Sequence, residues 1–90
     1  MRSRTTGRFR EAFATLPPRV QRQARNAYRL FQSDPRHPSL HFKQVHASRL
    51  IFSARVGLGY RAVAIQDADD LIWFWIGSHA DYDRLLAGLR

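Results

Sequence analysis

The chain has 90 residues, no cysteine and a hydrophobic fraction of 44%. This length and composition predict one folded domain over residues 1–90 rather than a disordered chain. The lack of cysteine excludes disulfides and thiolate metal ligands. No segment approaches the roughly 20 apolar residues of a membrane helix, so we expect a cytoplasmic protein with no membrane partner.

The charge balance is strongly basic. Lysine and arginine number 15 against seven acidic residues, for a formal net charge of +8, and Lys43 is the only lysine. Arginine grips phosphate through two hydrogen bonds and also stacks on bases. The surplus favours a polyanionic partner, either nucleic acid or an acidic protein.

Two amphipathic helices are predicted in the first third of the chain. The first runs from about Arg8 to Leu16 and ends at the Pro17-Pro18 pair. The second runs from Arg19 to about Ser33, with apolar residues on one face and basic residues on the other. The basic face supplies three candidate RNA-binding residues, Arg22, Arg25 and Arg29.

The rest of the chain is rich in strand patterns. After a proline-containing loop at Asp34–Pro38, one weak and three strong strand-like runs precede a short closing helix. Turn-rich linkers between the strong strands predict an antiparallel meander, so the fold class is α+β: an N-terminal helical hairpin packed on a small antiparallel β-sheet, with a short C-terminal helix. In chain order these runs are Leu40–Val45, Leu50–Val56, Tyr60–Ile65, Leu71–Ile76 and the helix Ala80–Leu89.

Two arginines flank the first turn of this meander. If residues 57–59 form a three-residue loop, Arg55 lies directly opposite Arg61. Like charges opposed across a sheet repel, so the pair favours a bound anion between them. Two alternatives remain open: each arginine pairs with a carboxylate, or a register slip of one residue puts them on different faces.

Chain direction brings two more side chains to the same place. The last strand runs antiparallel to Tyr60–Ile65, so its end lies beside Arg61, and His79 and Tyr82 follow it. Cleavage of an RNA phosphodiester needs a proton carrier and cations on the phosphate, and histidine and arginine suit these roles. The alternatives are a histidine bonded to backbone at a helix start and a tyrosine that packs the last helix on the sheet. The candidate catalytic residues are therefore Arg55, Arg61, His79 and Tyr82.

Three further basic residues, His41, Lys43 and His46, interleave along the weak strand and are expected on one face. They would line an RNA path, although a solvated edge strand explains them equally well. No histidine spacing matches a metal-ligand pattern, so neither a metal nor a cofactor is expected. The segment Trp73–Trp75 lies in mid-strand and is interpreted as core and sheet-face packing rather than as a base-stacking platform.

The order of these features resembles the RelE/ParE toxins of type II toxin–antitoxin systems. The resemblance spans nearly the whole chain and is carried by four segments: Asp34–Lys43, Ser53–Gly57, Tyr60–Ala62 and Trp75–Tyr82. It implies a strongly curved sheet and cleavage of mRNA without metal, free or on the ribosome. It also implies neutralisation by a cognate antitoxin in a toxin–antitoxin hetero-oligomer.

The resemblance also implies roles for individual residues. Arg61 matches the family's phosphate-contacting arginine, His79 resembles the terminal histidine of the HigB-like and YafQ-like branches, and Tyr82 resembles the late aromatic residue of the RelE branch. The chain departs from RelE in having one lysine, and it lacks the glutamate base of the YoeB-like branch. Two other functions stay open, a ParE-like inhibitor of DNA gyrase without nuclease activity and a noncatalytic basic module that binds RNA or a partner.

Overall fold

A computed structural model describes residues 2–89, which form three α-helices, one 3-10 turn and five strands of a single sheet. No helix in this range is long and apolar enough to cross a membrane. In chain order the elements are β1 (Arg2–Thr5), α1 (Gly7–Ala14), α2 (Pro18–Ser33), the 3-10 turn (Pro38–Leu40), β2 (Lys43–Gln44), β3 (Ile51–Val56), β4 (Tyr60–Asp67), β5 (Asp70–Ser78) and α3 (His79–Gly88).

The predicted α+β class is confirmed, and the sheet has the order β1-β5-β4-β3-β2. Strands β2 to β5 pair antiparallel, as the meander requires. The prediction of a purely antiparallel sheet is wrong at one edge, where β1 pairs parallel to β5. Its sequence, Arg-Ser-Arg-Thr, contains no apolar residue, so no alternating pattern predicts a strand there. It is held by backbone pairing and by two exposed ion pairs, from Arg2 and Arg4 to Asp70, at 3.3 and 3.7 Å.

Two element boundaries differ from the prediction for local reasons. The weak strand shrinks to Lys43–Gln44 because Pro38 starts a 3-10 turn and His41 adopts a left-handed conformation with φ 45°. Strands β4 and β5 extend through the predicted linker until Asp67 pairs with Asp70, which leaves a two-residue turn. Ala68, with φ 53°, makes this tight turn.

The sheet has an apolar core on each face. On one face α1 and α2 pack over the buried side chains of Ala54, Val56, Ala62, Leu71, Trp73 and Ile76. On the other face α3 packs through Tyr82 on Ile51 and Val63. Because side chains alternate along a strand, Arg55 and Arg61 belong to the α3 face.

The turn between β3 and β4 provides a matched test of backbone strain. Gly57 has φ +58°, and a Cβ added there would lie 2.5 Å from the Gln23 Oε1 atom, whereas a Cβ on Gly59 would meet nothing within 4 Å. We expect Gly57→Ala to lower the free energy of unfolding by about 1–2 kcal/mol, because non-glycine residues avoid the left-handed region. Gly59→Ala should change it by less than about 0.5 kcal/mol. Urea denaturation measures both, and equal effects would contradict the strained turn.

Candidate functional site

Arg55 and Arg61 oppose each other on the α3 face. Strands β3 and β4 pair Val56 with Tyr60 and Arg55 with Arg61, which confirms the predicted register. An Arg61 Nη1 atom donates to the Tyr60 carbonyl at 2.9 Å. The Arg55 Nε atom is buried and has no hydrogen-bond partner within residues 2–89.

No carboxylate neutralises this pair within the part of the chain that the structure describes. Ion pairs there involve Arg2, Arg4 and Arg84 and leave out both opposed arginines. Within residues 2–89 the structure contradicts the alternative in which each arginine pairs with an internal carboxylate. Two opposed arginines without such a partner suit an external anion.

The end of β5 lies beside the same turn. Gly77 pairs with Arg61 and Ser78 pairs with Tyr60. The backbone N–H of His79 then donates to the carbonyl of Gly59 at 2.8 Å. The predicted pairing of the end of the last strand with the strand that carries Arg61 is thus confirmed, and the exposed His79 begins α3 beside the turn that joins the two arginines.

Tyr82 contacts the imidazole of His79 through its ring. The rings of His79 and Tyr82 stack with centroids 5.9 Å apart and an angle of 22° between their planes. Tyr82 itself is 5% exposed, and its hydroxyl donates to the Ser53 Oγ atom at 3.0 Å. Ser53 is the one buried polar residue of this face within residues 2–89. Tyr82 therefore joins the site as a buried support of His79, with its hydroxyl already engaged.

Gly77 and Trp75 extend this site beyond the sequence prediction. A Cβ on Gly77 would lie 2.8 Å from the Trp75 Cζ2 atom, so the indole ring covers Gly77, the residue opposite Arg61. Trp75 also contacts Tyr82, with ring centroids 6.3 Å apart. The spacing Trp-Ile-Gly could have predicted this contact from the sequence, because it places a glycine and a large aromatic residue on the same strand face.

The basic residues around β2 do not share one face, contrary to the prediction. Lys43 pairs with Ser53 and so lies on the arginine face, but β2 ends at Gln44. The Nδ1 atom of His46 accepts from the backbone N–H groups of Ser48 and Arg49 at 3.1 and 3.0 Å. His46 thus holds a turn, while His41 is exposed at the end of the 3-10 turn.

The three arginines of α2 lie apart from this cluster. Arg22, Arg25 and Arg29 are exposed on a helix that packs against the opposite face of the sheet. The Arg25 guanidinium lies 5.1 Å from the centroid of the Phe13 ring, and Arg29 donates to the Asn26 Oδ1 atom at 2.7 Å. Helix α2 does approach Arg55, because Gln23 and Asn26 line a pocket with it, but none of the three arginines lines that pocket.

Comparison with protein families identifies the chain. Residues 18–84 match the sequence model of the ParE-like toxin domain. The chain belongs to the ParE-like toxin family. No curated protein sequence matches this toxin domain.

Solved structures share the fold of the toxin domain at low sequence identity. The crystal structure of YafQ from E. coli has a TM-score of 0.72 and 14% identity, and the match covers 91% of this chain and 98% of that one. RelE in the RelB–RelE antitoxin–toxin complex from Methanococcus jannaschii has a TM-score of 0.70 and 16% identity, over 89% and 95%. The toxin–antitoxin complex RelBE2 from Mycobacterium tuberculosis has a TM-score of 0.59 and 24% identity, over 87% and 96%.

The bond between Tyr82 and Ser53 can be tested by a double-mutant cycle. Tyr82→Phe removes a donor and leaves a buried hydroxyl without its partner, so we expect a loss of about 1–2 kcal/mol in the free energy of unfolding. Because the two groups contact each other, the loss in Tyr82→Phe/Ser53→Ala should differ from the sum of the single losses by at least about 0.5 kcal/mol. Strict additivity in urea denaturation would show that the two hydroxyls do not interact.

Proposed function

We propose that this toxin domain is an endoribonuclease that cleaves messenger RNA in the cytoplasm with its own side chains, and that a cognate antitoxin neutralises it. One observation carries the proposal: Arg55 and Arg61 are directly opposed, have no carboxylate partner within residues 2–89, and flank the turn to which the backbone of the exposed His79 is bonded. Repulsion between the guanidiniums weakens the sheet unless an anion joins them. A phosphodiester of RNA meets that requirement.

The arginine pair suits a phosphate whose charge grows during the reaction. Arg61 and Arg55 stay protonated and can only stabilise charge. When the 2′-oxygen attacks phosphorus, negative charge builds on the non-bridging oxygens before the bond to the 5′-oxygen breaks. Fixed guanidiniums at that position lower the barrier without having to reorganise.

His79 is the proton carrier in this proposal. It accepts the proton of the attacking 2′-hydroxyl, while a protonated group or a water gives a proton to the departing 5′-oxygen. The products are a 2′,3′-cyclic phosphate and a 5′-hydroxyl end. Because the ring of His79 is exposed, it can return its proton to solvent between turnovers.

Tyr82 acts as a positioning residue. Its stacked ring and its bond to Ser53 fix the imidazole relative to the sheet. Lys43, on the same face, extends the positive surface along the RNA. We propose that basic residues elsewhere contact more distant phosphates of the message or of ribosomal RNA, namely the exposed His41, Arg22, Arg25 and Arg29 and the half-buried His46.

The proposal of an antitoxin partner is supported by two of the similar structures. The RelB–RelE structure from Methanococcus jannaschii and the RelBE2 structure from Mycobacterium tuberculosis are toxin–antitoxin complexes. We propose the same kind of hetero-oligomer for this chain. A net charge of +8 favours an acidic partner.

Inhibition of DNA gyrase without nuclease activity is the second candidate function, and the match to the ParE-like toxin domain favours it. A protein that acts only by binding gyrase has no need of a proton carrier. A substitution of His79 therefore distinguishes the two functions, because only the nuclease depends on that side chain.

We expect Arg61→Ala to slow mRNA cleavage by about 100- to 1,000-fold, because it removes a fixed charge from the phosphate. His79→Ala should slow it by about 100- to 10,000-fold through loss of proton transfer. Cleavage of labelled mRNA, with and without ribosomes, gives the rates, and the chemical ends of the fragments report the cyclic phosphate. Circular dichroism checks that both variants remain folded.

Arg36→Ala is the matched control, since Arg36 is an exposed arginine in the loop after α2 and is not among the residues of the proposed site. It should cleave at the rate of the unmodified chain. Growth arrest with intact mRNA and inhibited gyrase, unchanged by His79→Ala, would replace this proposal with the second candidate.

A further inference from the structure

A β-bulge in the middle of β5 turns Trp75 toward the α3 face of the sheet. Val63 pairs with Trp75 and Ala64 pairs with Trp73, so Phe74 is an extra residue without a partner on β4. Residues two apart on a regular strand share a face. Because of the extra residue, Trp73 packs in the core under the helical hairpin and Trp75 packs in the core under α3. Bulges are frequent next to active sites, where they change the direction of a side chain.

The two tryptophans differ in how much of each ring the fold uses. Trp73 is 5% exposed and lines the apolar groove of about 400 Å³ between the helical hairpin and the sheet. Its indole N–H donates to the Ser3 Oγ atom at 3.3 Å. Trp75 is half-buried. Its indole N–H donates to no residue within residues 2–89, and it is not among the buried atoms that lack a partner there, so it is open to solvent.

The indole ring of Trp75 lies close to the arginine pair. It covers Gly77, whose partner on β4 is Arg61. A Cβ on Gly77 would come within 2.8 Å of the Trp75 Cζ2 atom, so glycine is the residue that lets the ring lie close against the backbone of β5. The ring also contacts Tyr82, with ring centroids 6.3 Å apart. Two contacts therefore fix a partly open aromatic ring beside Arg61.

We propose that Trp75 is a stacking platform for a nucleobase of single-stranded RNA, in the nucleotide next to the phosphate that Arg55 and Arg61 bind. The position of that phosphate rests on the proposed function. Aromatic side chains bind the unstacked bases of single strands through their ring faces, and tryptophan has the largest ring system. Because stacking increases with the overlap of the two rings, a purine should bind more tightly than a pyrimidine.

A base held on Trp75 would also help to align the reacting atoms. The 2′-oxygen attacks phosphorus in line with the departing 5′-oxygen, and a regularly stacked RNA strand keeps these three atoms far from a line. A base that leaves its neighbours and stacks on the indole lets the backbone turn at the bound phosphate. Trp75 binds the base in this scheme and takes no part in proton transfer.

The test is a cycle that combines one change in the protein with removal of the bases. Two ligands of about six nucleotides are compared, an oligoadenylate and a sugar–phosphate chain of the same length without bases. Both carry fluorine in place of the 2′-hydroxyl, so neither can be cleaved. The full chain is used unmodified and as Trp75→Leu, which keeps a large apolar side chain next to Gly77 and Tyr82. Fluorescence anisotropy of a dye on the ligand gives the affinities.

We expect Trp75→Leu to weaken binding of the oligoadenylate by at least about tenfold, and binding of the base-free chain by less than about twofold. Arg61→Ala is the matched comparison and should weaken both ligands to the same degree, because both keep their phosphates. Oligouridylate should bind the unmodified chain less tightly than oligoadenylate. If Trp75→Leu does not fold, Trp75→Phe takes its place, and its smaller ring should lower the affinity for the oligoadenylate alone.

The intrinsic fluorescence of the indole provides an independent measurement. A base stacked on Trp75 should quench its emission, so oligoadenylate should quench the unmodified chain and the base-free chain should not. Trp75→Leu should abolish the quenching. Trp73→Phe, which removes the buried tryptophan of the other face, should keep it.

Equal weakening of both ligands by Trp75→Leu would make Trp75 a packing residue and overturn the proposal. So would an unchanged affinity for oligoadenylate, or an unmodified chain that binds neither ligand. None of these measurements requires cleavage, so the platform and the nuclease can fail separately. Base-dependent binding by a chain that leaves mRNA intact would contradict the nuclease alone, whereas cleavage of mRNA by a chain whose two affinities fall equally in Trp75→Leu would contradict the platform alone.

Discussion

Repulsion between Arg55 and Arg61 is imposed by the way the sheet buries its apolar residues. The pairs on either side, Ala54 with Ala62 and Val56 with Tyr60, face the helical hairpin. A slip of one residue would separate the two guanidiniums, but it would also turn arginine into the core and alanine and valine out of it. The register that buries apolar surface is thus the register that concentrates positive charge. The free energy of burying these apolar side chains offsets the repulsion between the two arginines.

The sheet also separates two kinds of surface. One face carries Arg55 and Arg61, which have no carboxylate partner within residues 2–89, and the other carries an apolar groove that is lined in part by arginine. The basic surplus of the sequence is therefore divided between both faces. Arg61 lies on the first face, and Arg25 lies on the second with its guanidinium over the ring of Phe13. The two arginines carry the same charge but have different surroundings.

Sequence patterns predicted the parts of the fold where the turn residues and the apolar pattern of the strands indicate the same pairing. The Gly57–Gly59 turn predicted the opposition of Arg55 and Arg61, and strand direction alone predicted that the last strand would end beside this turn. The edge strand β1 escaped because a polar segment can pair through its backbone without any apolar signal. The face of His46 was misjudged because strict alternation puts an even-numbered residue on the face opposite His41 and Lys43, and the strand in any case ends at Gln44. Periodicity also predicted which faces of α1 and α2 are apolar. It did not predict that a cavity would remain between these faces and the sheet.

Strand β1 makes one edge of the sheet depend on a contact that is very distant in sequence. Its partner β5 begins at Asp70, and the hydrogen bond from Arg2 to Asp70 spans 68 positions. During synthesis, β1 stays unpaired until β5 has been made and has left the ribosome. The same strand carries Gly77 to its place opposite Arg61. The edge of the sheet and the candidate site therefore wait for one and the same strand, so neither can form in a nascent chain that lacks β5.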